Sequence, residues 1–304
     1  MDFHISRLSS GCGYSFGKGR GVVIMSNITF VDESATIKWI TFSDKTETCK
    51  IEPVKVSGSH GVGFMSIGNH IQINIEDATR DLIRLGLVKD TLSRMGVSDV
   101  KLTLGYFPQA RADRVFEKGN PLPVKVFADI LNSFGFSKVY IFDPHSDVTP
   151  ALINNVEVIS QTTMLNNQLT IIKRYMNDFT LCAPDLGATK KIFDSVQAFG
   201  HIDYIQAVKI RDVKTGDIVK CDLTVDKVGG NILIVDDICD GAASFKFLAH
   251  KLKEKGADKV GLYITHGIFS KGLDVLGGYV DYVFCPNIVG GYINQQDIQK
   301  FNSK

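Results

Sequence analysis

Two adjacent carboxylates, Asp236 and Asp237, close the apolar run Ile232, Leu233, Ile234, Val235, and four small residues, Gly241, Ala242, Ala243 and Ser244, follow Asp240. Neighbouring carboxylates accept from sugar hydroxyls or hold a divalent cation. Small side chains at a helix start let backbone N–H groups close around a phosphate. The apolar run has the length and branching of a parallel strand covered on both faces. The pattern therefore predicts a strand that ends at the acid pair, where open α/β sheets bind ligands. A helix should follow, with Phe245, Leu248 and Leu252 on its buried side. Read together, strand, acid pair, small-residue turn and helix suit a sugar phosphate; an acidic turn capped by an aspartate is the plainer alternative.

Further residues of chemical interest lie elsewhere. LTLGYFPQARADR places Arg111 and Arg114 around Asp113. Guanidinium forks match phosphate oxygens two at a time, so the segment suits either a polyphosphate or a salt-bridged surface loop. In VYIFDPHSD, His145 follows an apolar strand beside Asp143, and in CAPDLG, Asp185 follows a proline. Both can ligate a metal, and both also suit ordinary turns. VKIR carries Lys209 and Arg211, a common surface pair, and Phe42, Ser43 and Asp44 form a short aromatic-acidic segment.

Taken in order along the chain, these segments resemble the ribose-phosphate diphosphokinase family, including its divergent viral-type members. The run from Asn231 to Ser244 is similar to the phosphoribosyl diphosphate motif shared with type I phosphoribosyltransferases. Tyr106, Phe107, Ala110, Arg111, Asp113 and Arg114 match a Tyr-Phe-Gly-Tyr-Ala-Arg-Gln-Asp-Arg segment that simple phosphoribosyltransferases lack. YITHGIFS resembles Ala-Thr-His-Pro-Ile-Phe-Ser, and CAPDLG resembles Ser-Pro-Asp-Ile-Gly. The chain departs at Lys45, Thr46, Pro108, Ala112 and Ile210. In the loop after Asp240, Gly241, Ala242 and Ala243 replace Thr-Gly-Gly.

The resemblance implies a magnesium-dependent transfer of the terminal diphosphoryl group of ATP to the C1 hydroxyl of ribose 5-phosphate. Asp236 and Asp237 would bind the ribose, and Asp240, Gly241, Ala242, Ala243 and Ser244 its 5-phosphate. Phe42, Asp44, Arg111, Asp113, Arg114 and His145 would bind ATP, and His145 and Asp185 would hold Mg2+. Lys209 and Arg211 would be the catalytic basic residues of a closing loop. The altered phosphate loop keeps open a bulkier acceptor such as ADP-ribose, in NAD rebuilding. A type I phosphoribosyltransferase and a catalytically silent regulatory subunit are the other readings. Family members form homodimers and homohexamers, so a homo-oligomer is expected.

These residues need a scaffold of alternating helices and strands, which implies parallel sheets with right-handed crossovers. The expected fold is α/β: two tandem phosphoribosyltransferase-like domains, 1–160 on the ATP side and 161–290 on the sugar-phosphate side, with about 291–304 returning to the first. QTTMLNNQLTIIKRYMND reads as one helix opening the second domain. GCGYSFGKGRG lacks the Gly-Lys-Ser/Thr ending of a phosphate loop and reads as a turn. Lys plus Arg total 34 against 33 Asp plus Glu, so no global basic field argues for nucleic acid. Six unpaired cysteines, no leader and no bilayer-length apolar run suit a cytoplasmic, membrane-free enzyme of small molecules.

Overall fold

The computed structural model describes residues 28–58, 61–200, 204–211 and 218–303. The GCGYSFGKGRG stretch lies outside them. The described chain opens with β1 (Ile28–Phe30), then two hairpins, β2 (Ala35–Thr41) with β3 (Glu47–Pro53) and β4 (Lys55–Gly58) with β5 (Gly61–Phe64). There follow β6 (His70–Ile73), α1 (Ala78–Arg94), β7 (Lys101–Leu104), α2 (Pro123–Ser133), β8 (Lys138–Phe142), α3 (Val148–Leu152) and β9 (Val156–Ile159). After them come α4 (Gln161–Asn166), α5 (Leu169–Met176), β10 (Phe179–Ala183), α6 (Leu186–Phe199), β11 (Tyr204–Arg211) and β12 (Ile218–Leu223). The chain finishes with β13 (Asn231–Cys239), α7 (Ala243–Glu254), β14 (Lys259–Gly267), β15 (Tyr282–Phe284), β16 (Asn287–Ile288) and α8 (Gln295–Asn302).

Two mostly parallel sheets result. One runs β1-β6-β7-β8-β9, antiparallel only at β1; the other runs β12-β11-β10-β13-β14-β15, with β16 beside β14 and only β12 antiparallel. The apolar run of β13 is covered on both faces, as its composition predicts. Ile232 and Ile234 join the core under α7, whereas Leu233 and Val235 join the core against α5 and α6. The first sheet has its own core, in which Val124, Phe127, Ala128 and Leu131 form the buried side of α2. Arg84 of α1, itself buried, pins the β2–β3 hairpin by a fork to Glu47, both contacts 2.7 Å, and lies 4.6 Å from the Trp39 ring centroid.

Four expectations differ from the structure, three of them in the helix after Ser160, the C-terminal segment and the Lys209–Arg211 pair. The single helix after Ser160 is two, broken around Asn167 and Gln168. Asparagine competes for its own backbone, and each piece buries a separate set, Met164 with Leu165 and then Ile172 with Met176. The C-terminal segment does not return to the first sheet as a unit: Gly290 N–H reaches Ile75 O, but α8 buries Ile298 and Phe301 in the second core, and Asn302 bonds both backbone groups of Val283. Lys209 and Arg211 stand not on a loop but on β11, paired antiparallel with β12 at Cys221 and Ile218. Among the described residues no helix is long and apolar enough to cross a membrane, and Cys49, Cys182, Cys239 and Cys285 form no disulfide.

Candidate active site

The carboxyl ends of β8 and β13 meet, so segments far apart in sequence share one polar junction. Asp143, just past β8, is buried with a φ of 36°, a strained conformation for a residue with a Cβ. Its carboxylate holds the place by accepting from Lys191 Nζ at 2.7 Å, Thr265 Oγ1 at 2.6 Å and Gln161 Nε2 at 2.9 Å. Beside it, His266 Nε2 faces the carbonyls of Phe142 and Asp143 at 2.9 and 3.3 Å, so that nitrogen carries the proton. His266 Nδ1 then accepts from Asn287 Nδ2 at 2.8 Å, and burial holds the imidazole below its ordinary pKa. Gly105 makes room for that amide: a Cβ there would stand 3.1 Å from Asn287 Nδ2.

The acid pair behaves differently from a strand end. β13 continues to Cys239, still paired with β14 at Gly267, although its pairing with β10 stops at Ile234. The turn is thus delayed until Asp240, because β14 is long enough to carry the ladder past the acids. Successive side chains on a strand point to opposite faces, so Asp236 and Asp237 part company. Asp237 shares the face of Leu233 and Val235, against which α6 brings Lys191. Its Oδ2 accepts from His145 Nδ1 at 2.9 Å and Lys191 Nζ at 3.2 Å. Burial alone would raise Asp237, but the His145 hydrogen bond and the Lys191 charge outweigh it and hold the carboxyl at about 2. Asp236 goes the other way: burial, then the charges of Asp237 and Asp185, push it well above the usual carboxylate range. The bond to Asp237 raises His145 against its own burial.

Around this centre the structure brings several sequence-predicted residues together. Asp113 is buried and accepts from Arg114 Nε at 3.0 Å. Burial raises its pKa, yet the Arg114 hydrogen bond and the nearby His145 and Ser146 leave it below the ordinary value. Arg111 Nη1 lies 3.5 Å from Asp240 Oδ2, joining the arginine segment to the small-residue loop, while Ser270 Oγ donates to Asp240 Oδ1 at 2.5 Å. Within that loop Ala242 is the left-handed N-cap of α7, with φ 61°, and Ala243 is the first helical residue, followed by Ser244. Gly241 has the Lys271 side chain 3.8 Å from where its Cβ would be. Asp185 caps α6, accepting from Ala188 N at 3.1 Å.

Other predicted residues are not gathered there. Phe42 and Asp44 sit at the tip of the β2–β3 hairpin, Phe42 exposed and Asp44 bonded to the Thr46 hydroxyl and amide, which lower its pKa. The side chains of Lys209 and Arg211 lie outside the described residues. Sequence reasoning missed Lys191, Gln161, Thr265 and Asn287. Lys191 is one of two consecutive helical lysines, and nothing in the local pattern separates it from a surface cation. Thr265 and His266 do stand inside the YITHGIFS segment, the one signal that pointed at them.

No protein-family model matches the chain. A ribose-phosphate pyrophosphokinase of Mycoplasmopsis pulmonis is 29% identical over 218 residues, 71% of this chain and 67% of that protein. The chain is a homologue of the ribose-phosphate pyrophosphokinases. A ribose-phosphate pyrophosphokinase of Thermococcus kodakarensis is likewise 29% identical, over 192 residues covering 63% of this chain and 66% of that protein. The alignments therefore span about two thirds of these pyrophosphokinases' own length. The crystal structure of a phosphoribosylpyrophosphate synthetase from Mycobacterium smegmatis superposes with a TM-score of 0.66 at 16% identity, covering 83% of this chain and 80% of that one. At that identity the likeness speaks for the fold, two parallel sheets flanked by helices.

Proposed function

We propose that this chain is a diphosphokinase that moves the β,γ-diphosphoryl group of ATP to the C1 hydroxyl of ribose 5-phosphate, giving phosphoribosyl diphosphate and AMP. The observation that carries the reading is the junction itself. His145 bonds Asp237 at 2.9 Å and Arg111 pairs with Asp240 at 3.5 Å, so the arginine and histidine segments meet the acid pair and its loop across the two sheets. A binding site for two substrates needs such convergence, and the relatives' names agree with it.

In this reading the anomeric oxygen attacks the β-phosphorus. The bond from that phosphorus to the bridging oxygen breaks, AMP leaves with that oxygen, and one proton is released. The protein contributes placement and charge neutralisation. Asp236 and Asp237 orient the ribose; Asp240, Gly241, Ala242, Ala243 and Ser244 receive its 5-phosphate. Arg111, Arg114 and Asp113 order the ATP phosphates, Phe42 and Asp44 take the adenine from a neighbouring subunit, and Lys209 and Arg211 neutralise the transferring group.

The residues present also fit Mg2+. With Nδ1 donated to Asp237, the other nitrogen of neutral His145 is free to ligate, a carboxylate–histidine pairing that fixes a ligand's orientation. Asp185 spends only Oδ1 on its cap. Among the described residues no three His, Cys, Asp or Glu side chains are grouped for a metal, and Mg2+ commonly takes one or two protein ligands beside substrate phosphates. When bound it would neutralise phosphate charge.

A bulkier acceptor such as ADP-ribose is the second reading. Gly241 leaves the phosphate loop without the hydroxyl side chain of the family pattern it resembles, which leaves room beside the sugar's phosphate. AMP formation from Mg-ATP, assayed with ribose 5-phosphate and with ADP-ribose and with the product identified by mass, tests both. AMP with ribose 5-phosphate supports the first reading; AMP with ADP-ribose alone supports the second. No AMP with either overturns both and leaves a phosphoribosyltransferase or a silent subunit. Sedimentation checks the expected homodimer or homohexamer, since a fully active monomer contradicts a shared adenine site.

A further inference from the structure

We propose that Lys191 is the positioning residue of this site: it locks Oδ2 of Asp237 from across the junction, so that Oδ1 alone is presented to the acceptor sugar. The assignment rests on the functional reading above, in which Asp237 binds the ribose.

The geometry leaves Lys191 little else to do. An ammonium group has three protons, and Lys191 Nζ has three acceptors, Asp143 Oδ1 at 2.7 Å, Pro144 O at 3.0 Å and Asp237 Oδ2 at 3.2 Å. A tripod of this kind fixes the nitrogen in direction as well as in place, and no donor is left over for a substrate. Asp237 Oδ2 in turn is doubly occupied, by Lys191 and by His145 Nδ1 at 2.9 Å. Oδ1 accepts no hydrogen bond among the described residues, so one oxygen is held by protein and the other is available to a hydroxyl.

The anchor matters as much as the contact. Lys191 stands on α6 of the second sheet, yet two of its three acceptors, Asp143 and Pro144, belong to the turn after β8 of the first. Asp143 is itself immobilised by Thr265 and Gln161. The orientation of the sugar-binding carboxylate is thereby set by the first sheet, the half that carries Arg111 and His145. Loss of Lys191 would leave Asp237 tethered by His145 alone, with either oxygen free to rotate toward the sugar.

The test compares wild type with Lys191→Met and Lys191→Arg, by steady-state AMP formation and by calorimetric binding of ribose 5-phosphate, alongside thermal unfolding. Partners that orient metal ligands typically control roughly 10- to 100-fold in affinity or activity, and Lys191 orients a sugar-binding carboxylate in the same manner. Lys191→Met should therefore raise KM and the dissociation constant for the sugar phosphate by roughly that factor, with the KM for ATP changing less than about twofold; Lys191→Arg should fall between it and wild type. A lowered melting temperature with unchanged sugar KM and binding would make Lys191 merely structural and overturn the assignment, as would equal rises in both KM values. Should Lys191→Met fail to fold, Lys191→Arg decides by the same split, because it keeps the charge without the three-point geometry. A wild-type chain that binds ribose 5-phosphate without forming AMP would sink the diphosphokinase reading alone, and the binding comparison would still judge Lys191. A wild-type chain that does neither would overturn both.

Discussion

The junction around Asp143 and the loop around Asp240 both join the two sheets through charged side chains, and they differ in nearly every physical respect. At the junction Asp143 is fully enclosed and meets three donors at 2.6 to 2.9 Å. At the loop Arg111 and Asp240 approach only to 3.5 Å, and their side chains remain 56% and 42% exposed. Exposed pairs are worth about 0–1 kcal/mol, whereas removing one partner of a buried pair costs about 3–5 kcal/mol because the other charge is stranded. The difference separates what is built into the fold from what can rearrange. One region is fixed by its buried partners; the other is exposed and, on the proposed reading, exchanges its internal partner for a phosphate.

The largest effect should come from breaking the built region. Asp143→Ala takes from Lys191 its shortest acceptor and leaves the donors of Gln161 and Thr265 without theirs, and should lower stability by about 3–5 kcal/mol in denaturant unfolding. A loss under about 1 kcal/mol would mean the two regions do not differ as described.

Asp237→Asn is the next perturbation. The Asp237 carboxyl is depressed from 3.8 to about 2 in the folded chain, so its contribution is present above the unfolded value and is lost as the pH falls from near 3.8 towards about 2. The Asn variant should be less stable at neutral pH and should lose less further stability across that acid window than wild type. Parallel acid-unfolding curves would remove Asp237 from the set of groups that the junction depresses. AMP formation should also drop in this variant.

Smaller effects belong to the open region. Ala242 sits in the left-handed region at φ 61°, which costs a non-glycine residue about 1–2 kcal/mol, while glycine there loses part of that gain to chain entropy. Ala242→Gly should therefore stabilise by about 0.5–1 kcal/mol; destabilisation would show that the Ala242 methyl, which is buried, contributes more by packing than the strain costs. Arg111→Gln should move stability least, within about 0.5 kcal/mol, while AMP formation falls by an order of magnitude or more if Arg111 orders the ATP phosphates. Retained turnover would end that role.

Much of the fold was legible because it is written in local periodicity. The continuous Ile232–Val235 run required cover on both faces and received it, and Phe245, Leu248 and Leu252 are the buried side of α7. The helix after Ser160 was misread because periodicity does not register the backbone competition that breaks α4 from α5. The place of the acid pair was misread for a longer-range reason. Where β13 stops depends on how far β14 runs beside it, and the register Cys239 with Gly267 is a pairing between distant segments.

The sequence by itself determined the alternating α/β architecture, the double-sided burial of β13 and the segments that resemble the diphosphokinases, since each depends on residues within a few positions of one another. Tertiary structure alone decided that Asp236 and Asp237, identical neighbours, carry opposite pKa shifts and that the inconspicuous Lys191 bridges the sheets. Those outcomes arise from distance and dielectric between groups such as His145 and Asp237, which stand 92 residues apart in the chain yet 2.9 Å apart in space, and no local pattern encodes that approach.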